Sequence, residues 1–385
     1  MRKRHYRLEK HYLGIIQKKR WAQLRAANQK RTHRTHPSRI DRLKETEKEL
    51  QASATELKRT HRKKREEMFR RFSYNKPKKS INITESFGIE EEKNIDFFLK
   101  TAEDCIDFNS SVLFLNLDSC PRIWPSGIML LCSLKQWVEL SCANGRVKEP
   151  QIGSSDPKDS DVSNYLTYSG FYEYVNRPIS KVETTIPHAE IVRIERERKR
   201  GKIYERADAI KSLMSRCAVN EQVIKWLDNA IIMEILINII EHGVVNKDQG
   251  WWLLVQRHPT HKFISLCFAD NGIGIKTHLL CGPQKRKVLM KLRESDGDGD
   301  FIKLACEEII SGASDAETGD QLRGSRRGNG LKRIRRQCMD MSIPLAIISH
   351  SGYIFYDSSG KIFRNGTSKN RLFAGTMYHL KVPTS

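Results

Sequence analysis

The chain has 385 residues, enough for two ordinary domains and an additional segment. Residues 1–79 hold 27 Lys and Arg against 8 Asp and Glu, whereas residues 80–385 hold 41 against 38, so the basic charge belongs to the N-terminal segment. No apolar run approaches the roughly 20 residues that cross a bilayer, and no apolar core follows the charged start, so we expect neither a transmembrane segment nor a signal peptide.

The N-terminal segment is predicted to be a basic helical arm. Residues 1–72 contain one Gly and one Pro, and Pro37 is expected to break the arm into two helices. Apolar or small residues recur at steps of three and four from Ile40 to Phe72, a weak coiled-coil seam that leaves a homo-oligomer open. Clusters such as QKKRW and KRTHRKKREE suit the phosphate backbone of DNA or RNA. A solvated helix and an anionic membrane surface are the alternatives.

The next part of the chain changes to an alternation of strand and helix. SVLFLNL (111–117) predicts a strand, WPSG (124–127) a turn, and the apolar run over 128–140 a helix. A polar loop over 144–164 precedes YLTYSGFYEYV, which predicts a short helix with a glycine break. This order indicates a small α/β domain.

The C-terminal part is predicted to contain helices followed by strands. Residues 180–242 are mainly helical in pattern, and WWLLVQRH (251–258) and FISLCFAD (263–270) predict adjacent strands. A polar, glycine-rich stretch runs over 276–330. A helix near Leu331 and three strands, PLAIISH, GYIFYD and TMYHLKV, complete the chain.

The nine cysteines show no CxxC pair and no metal-ligand cluster. Several lie in apolar runs, such as Cys132 in IMLLCSL and Cys267 in ISLCFAD. We expect these cysteines to be buried, reduced thiols in a reducing compartment, and we therefore expect a cytoplasmic protein.

One apolar helix carries a stripe of polar residues. In EILINIIEHG (234–243), Glu234, Asn238 and His242 are separated by four residues each and so return to nearly one side of the helix. Asn238 offers a neutral oxygen to Mg²⁺, which normally takes few protein ligands and keeps waters. Glu234 lies one turn earlier and can accept a proton from an attacking hydroxyl or water.

DNGIGI (270–275) follows a predicted strand. An Asp at a strand end can accept a hydrogen bond from an adenine amino group, and this position is Asp270. Gly272 and Gly274 let the backbone approach a base and bend freely.

GSRRGNGL (324–331) opens a helix and precedes a final segment, AGTMYHL (374–380). Gly328 and Gly330 supply backbone amides and the positive end of a helix dipole for phosphates. Four separated stretches with uses around a nucleotide therefore occur in the second half of the chain.

In their order and spacing, these stretches resemble the boxes of the GHKL ATPase superfamily, which includes histidine kinases, Hsp90 chaperones, MutL and type II topoisomerases. EILINIIEHG is similar to the N box, DNGIGI to the G1 box, RGNGL to the G2 box and GT at 375–376 to the G3 box, and the likeness covers about 220–383. An N box that begins with Glu and contains a His is most similar to that of the anti-sigma-factor serine kinases. The resemblance implies an α/β sandwich that binds ATP and Mg²⁺.

By that resemblance Asp270 reads adenine with support from Thr376, Asn238 holds Mg²⁺, and Glu234 is the general base. His242 contacts a phosphate or is a core histidine. The resemblance also implies that six further residues contact the nucleotide: Gly272, Gly274, Gly328, Gly330, Leu331 and Lys332. Lys332 and Arg333 follow the G2 box and can contact phosphates, but a solvated helix face explains these two residues equally well. The 276–330 stretch matches the position of the ATP lid.

Within that stretch, DGDGDFIKLACE (296–307) has the acidic spacing of an EF-hand loop. The sixth position of such a loop must turn sharply and normally requires Gly, but Phe301 stands there. The sequence therefore favours a mobile lid over a calcium site.

SSVLFLNLDSCPRIWPSGIMLLCSLKQWVEL resembles the strand, turn and helix of a STAS domain, the fold of anti-anti-sigma factors, over about 85–175. In the regulatory members a phosphorylated serine precedes a Ser-Gly pair, but here Pro125 precedes Ser126 and Gly127. The resemblance therefore implies a docking or scaffolding module without the usual phosphoswitch.

The sequence thus predicts an α+β protein with a basic helical arm and linker over 1–79, a STAS-like domain over 80–178 and a GHKL ATPase domain over 179–385. We expect an ATP-binding regulator that hydrolyses Mg-ATP slowly and uses lid closure to control an unidentified protein partner, tethered to DNA or RNA by residues 1–72. The alternatives are a serine/threonine protein kinase of the anti-sigma type and a nucleotide-sensing scaffold without turnover.

Overall fold

The computed structural model describes eleven stretches of the chain. They are 79–106, 112–142, 151–155, 157–174, 191–192, 203–216, 219–239, 251–258, 262–281, 285–308 and 330–384. All of them belong to one compact unit, residues 60–385. The predicted arm, His242 and Gly328 lie outside the described residues. No described helix combines the length and apolar character that a bilayer crossing needs.

A small parallel sheet forms the first layer. It is built from β1 (Lys79–Asn82), α1 (Ile95–Ile106), β2 (Val112–Asn116), α2 (Pro125–Cys142), β3 (Gln151–Ser154), α3 (Ser160–Tyr168) and α4 (Phe171–Tyr174), with the strands in the order β1-β2-β3. The predicted turn at 124–127 is mostly helix, because Pro125 fits the first turn of α2, where no amide donor is needed. The predicted glycine break is present at Gly170, which has φ of +79° between α3 and α4.

A larger antiparallel sheet forms the second layer. Its strands are β4 (Ile191–Val192), β5 (Trp251–His258), β6 (Phe263–Asp270), β7 (Leu345–Ser349), β8 (Gly352–Tyr356), β9 (Ile362–Thr367) and β10 (Thr376–Pro383), in the order β4-β5-β6-β10-β7-β8-β9. The bounds of β5 and β6 match the predicted strands. Two strands of this sheet were not predicted: β4 lies in the stretch predicted to be mainly helical, and β9 lies between two predicted strands. In the small sheet, β1 was not predicted, and β3 lies in the predicted polar loop over 144–164.

Helices cover one face of this sheet. They are α5 (Ile203–Arg216), α6 (Glu221–Trp226), α7 (Met233–Asn238), α8 (Ile275–Cys281), α9 (Lys285–Leu289), α10 (Asp298–Glu307) and α11 (Gly330–Asp340), with a π-helical segment at Leu227–Ile232 joining α6 to α7. Because side chains alternate along a strand, Leu266 and Phe268 of β6 pack under these helices. Cys267 and Ala269 point to the opposite face and share a core with the small sheet and α2.

The expectation of a mobile lid at 296–307 is wrong. Residues 285–308 fold into α9 and α10, and Phe301, Ile302 and Cys306 are fully buried. The acidic residues that resembled an EF-hand hold this helix in place: Asp300 accepts a hydrogen bond from the Gly297 amide, and Asp298 accepts from the Ser351 amide and hydroxyl.

The α+β class predicted from the sequence is confirmed by these two sheets and their helices. Seven cysteines of the described stretches are free, and all of these except Cys281 are buried. Burial raises the pKa of Cys105 to about 12 and that of Cys120 to about 11, so these thiols are protonated at neutral pH.

Candidate functional site

A row of polar side chains crosses the larger sheet at one end. Asp270, the last residue of β6, pairs with Thr376, the first residue of β10, which in turn pairs with Ser349 at the end of β7. Alternation along the strands puts this row on the face of Phe268 and Tyr378, the face that the helices cover. The Ser349 and Thr376 hydroxyls are 3.0 Å apart, so the row is linked by side chains as well as by the sheet.

Asp270 is a buried carboxyl, with 2 % of its surface exposed. Burial raises its pKa to about 7, and hydrogen bonds from the backbone amides of Gly272 and Thr376 oppose that rise. The Gly272 amide lies 2.7 Å from Asp270 Oδ1. A buried carboxyl gains stability when another group donates a hydrogen bond to it. The amino group of a ligand can be that donor, so Asp270 is a candidate ligand-binding residue.

The loop after Asp270 is held closely by its neighbours. A Cβ at Gly375 would lie 2.2 Å from the Asp270 carbonyl oxygen and 2.4 Å from the Gly272 nitrogen, so only glycine fits there. Gly274 has φ of +72°, and a Cβ on it would lie 2.8 Å from the His350 ring. The glycines of the predicted G1 and G3 boxes therefore allow two backbone segments to approach each other.

A second polar group lies where α7 meets the start of α11. A Cβ at Gly330 would lie 3.1 Å from Asn238 Oδ1 and 3.4 Å from Glu234 Oε2, so the first residue of α11 approaches both polar side chains. Arg333, one turn later, donates from Nη1 to Glu234 Oε1 at 2.6 Å. In the part of the chain that the structure describes, Asn238 Nδ2 is buried without a hydrogen-bond partner.

Both polar groups belong to the same side of the sheet. Ile235 of α7, the next residue after α7, Ile239, and Ile334 of α11 are fully buried in one cluster with Phe268 and Tyr378. These apolar positions thus pack on the face that carries Asp270 and Thr376. Ile235 and Ile239 anchor this helix end, and Glu234 and Asn238 lie toward the start of α11.

The structure therefore brings the predicted residues into two groups. The first contains Asp270, Gly272, Gly274 and Thr376, and the second contains Glu234, Asn238 and Gly330. Leu331 is partly buried against the helix-side core, and Lys332 is partly exposed in the same turn. His242 and Gly328 cannot be placed in either group, because they lie outside the described stretches.

Three residues near these groups were not assigned to the site from the sequence: Asn271, Ser349 and His350. Arg333 was considered only as a phosphate contact or a solvated residue, and its pairing with Glu234 was not predicted. A signal for Ser349 was present, because it stands two residues after Ile347 in a predicted strand and so shares its face. The Arg333 partner could not be read from spacing, since Glu234 lies 99 residues earlier.

The second group, with Glu234, Asn238 and Gly330, could bind a magnesium ion that is also coordinated by the phosphates of a ligand. The described stretches contain no group of three or more His, Cys, Asp and Glu side chains that would hold a metal by itself. Magnesium usually keeps several waters and takes one or two protein oxygens, and the Asn238 amide can supply one of them. The buried Nδ2 atom of Asn238 can donate to an anionic ligand at the same place.

Comparison of the whole chain with known protein families, with curated proteins and with solved structures finds no match.

Proposed function

We propose that residues 179–385 form a GHKL-type ATP-binding domain. The observation that carries this proposal is that two polar groups lie on the same helix-covered face of the larger sheet. One is the buried Asp270 carboxyl at the end of β6, and the other is Glu234 and Asn238 beside the start of α11. An acceptor for an amino group and a helix start for anions are the two requirements of an adenine nucleotide.

Asp270 would bind the adenine end. Its carboxyl is buried and fixed by the Gly272 amide, so it can accept a hydrogen bond from the adenine amino group without reorganising. Thr376 would support it from β10, and the Gly274 turn would let the base approach the backbone.

The start of α11 would bind the phosphates. The first amides of a helix have no partner within the helix, and those of Gly330 and Leu331 lie at this end of α11. Lys332 adds a positive charge in the same turn, and Gly328 belongs to the same predicted loop. Asn238 would ligate Mg²⁺, which supplies charge neutralisation for the phosphates.

Glu234 would act as the general base for slow hydrolysis. In the free protein the Arg333 guanidinium pairs with its carboxylate at 2.6 Å. The pair would have to open for Glu234 to accept a proton from water, which is consistent with slow turnover. Transfer of the phosphoryl group to a partner's serine would use the same base, so a protein kinase is the second candidate function.

Turnover is tested with ATP labelled at the γ-phosphate. We expect release of labelled phosphate by the wild type and release lowered by about 10² to 10⁴ in Glu234→Gln. Glu205→Gln, which changes an exposed carboxylate on α5, is the matched control. Label on a protein partner would favour the kinase. Tight binding without release or transfer would leave a nucleotide-sensing scaffold.

We further propose that ATP acts as a conformational ligand that controls a protein partner of a cytoplasmic regulator. Residues 80–178 would be a STAS-like docking module, and residues 1–72 would tether the protein to DNA or RNA. Support for the tether comes from the sequence, in which 27 of the 68 Lys and Arg residues fall in the first 79 positions.

A further inference from the structure

Helix α2 of the small-sheet region is bonded directly to the loop that follows Asp270. The Ser133 hydroxyl donates to Asn271 Oδ1 at 2.5 Å, and Asn271 Nδ2 donates back to the Ser133 carbonyl oxygen at 2.8 Å. The pair is reciprocal, so the side-chain amide of Asn271 is fixed in one orientation.

This contact is buried from water. Ser133 is fully buried, and Asn271 is 4 % exposed. Asn271 stands between Asp270, the buried carboxyl, and Gly272, whose amide donates to that carboxyl. Any shift of Asn271 therefore moves the two residues on which the geometry of the carboxyl depends.

A second buried contact joins the start of α2 to the same sheet by a different route. Glu90 accepts from the Ser126 amide at 2.9 Å and from its hydroxyl at 2.5 Å, and the Ser265 hydroxyl lies 3.3 Å from Glu90. Ser265 is 2.8 Å from His379 Nε2. Burial raises the pKa of Glu90 to about 7 and lowers that of His379 to about 3, so this contact is not an ion pair at neutral pH.

Ser126 and Ser133 are seven residues apart, which is close to two helical turns, so they lie on nearly one side of α2. Both face the larger sheet, but only Ser133 contacts the loop after Asp270. The helix thus offers two buried serines of equal size, each with buried hydrogen-bond partners, of which Ser133 bonds to the loop after Asp270 and Ser126 bonds to Glu90.

We infer that Ser133 and Asn271 are positioning residues through which α2 sets the geometry of the Asp270 loop, so that the small-sheet region controls ligand affinity at that site. The ligand-binding part of this inference rests on the proposed ATP-binding function. Because linked equilibria are reciprocal, a ligand bound at Asp270 would also strengthen the packing of α2.

The first test needs no ligand. Amide hydrogen exchange at 271–275 is measured in the wild-type chain, in Ser133→Ala and in the matched control Ser126→Ala. Loss of one buried hydrogen bond should speed local exchange in Ser133→Ala roughly tenfold, whereas Ser126→Ala should leave exchange at 271–275 unchanged. If Ser133→Ala does not fold, Ser133→Cys keeps a small side chain with a weak donor and makes the same comparison.

The second test is calorimetric titration of the same proteins with Mg-ATP. We expect roughly tenfold weaker binding by Ser133→Ala and unchanged binding by Ser126→Ala. Faster exchange in both variants to the same degree, or in neither, would overturn the inference, because the effect would then be general loosening or absent. Faster exchange in Ser133→Ala with unaltered affinity would overturn the link to the ligand. Failure of the wild type to bind ATP would overturn the proposed function, while the exchange result would still decide whether Ser133 positions the loop.

Discussion

Replacing Asp270 by Asn should stabilise the free protein above pH 7. Burial raises the pKa of Asp270 from 3.8 to about 7, so the native protein keeps its proton over a range in which the unfolded chain loses it. The native state binds more protons there, and the free energy of unfolding therefore falls as pH rises from 3.8 to 7. A difference of about three pH units corresponds to on the order of 4 kcal/mol, which is an upper value for the gain in the variant.

The substitution should leave the surrounding hydrogen bonds in place. Asn has a side-chain oxygen that can still accept from the amides of Gly272 and Thr376, and it cannot ionise. The free energy of unfolding of the variant should therefore not fall between pH 3.8 and pH 7, and the substitution should not create a cavity.

Urea unfolding at several pH values measures this difference. The free energy of unfolding of Asp270→Asn should exceed that of the wild type by an amount that grows about 1.4 kcal/mol per pH unit between pH 5 and pH 7 and is constant above pH 7. Asp340→Asn, an exposed carboxylate at the end of α11, serves as the control and should follow the wild type. Parallel curves for Asp270→Asn and the wild type would refute the argument that Asp270 is buried with a raised pKa.

Four further changes have expected outcomes. Glu234→Gln should keep ATP binding and lower phosphate release by about 10² to 10⁴, and loss of binding would contradict its role as a base. Gly375→Ala should lower both the urea midpoint and ATP affinity, because its Cβ would lie 2.2 Å from the Asp270 carbonyl oxygen; an unchanged midpoint would contradict that close approach. Deleting residues 1–72 should keep ATP binding but abolish binding of labelled DNA and RNA, which in the full chain should weaken steeply with salt; equal nucleic-acid binding by both chains would exclude the tether. Glu90→Gln should stabilise the protein above pH 7 by on the order of 3 kcal/mol, since burial raises the Glu90 pKa from 4.5 to about 7, and denaturant unfolding at pH 5 and pH 8 would show no such gain if Glu90 were solvated.

Strands with strong patterns could be predicted from the sequence, and weakly patterned ones could not. β5 and β6 were predicted with their observed bounds, because WWLLVQRH and FISLCFAD are apolar runs separated by the turn segment PTHK. β9, with the sequence IFRNGT, is an edge strand of the described sheet, and its side chains alternate between partly buried and exposed. An edge strand needs little apolar character, so its pattern resembles that of a loop.

The largest error concerned the stretch after Ile275. DGDGD has the composition of a loop, but each of its three carboxylates accepts a hydrogen bond from a backbone amide. The apolar residues that follow it pack into the core. The helix depends on contacts with Gly366 and Thr367, where a Cβ on Gly299 or Gly297 would lie within 2.3 Å of the partner. Such contacts between distant segments leave no local pattern.

The candidate site was predictable in its residues but not in its connections. Each glycine-containing box has a local pattern, and the structure places seven of the predicted residues in two groups on one sheet face. The Arg333–Glu234 pair and the Ser133–Asn271 pair span 99 and 138 residues. The first arises when α11 packs against α7, and the second arises when α2 packs against the larger sheet.

Calorimetric titration of the full chain with Mg-ATP, beside the folded Asp270→Asn variant, decides whether Asp270 lies in an ATP site. We predict saturable binding by the wild type and loss of that binding in Asp270→Asn, because the buried carboxyl is the proposed acceptor for the adenine amino group. Equal ATP affinity in the two proteins, or no binding by the folded wild type, would contradict it.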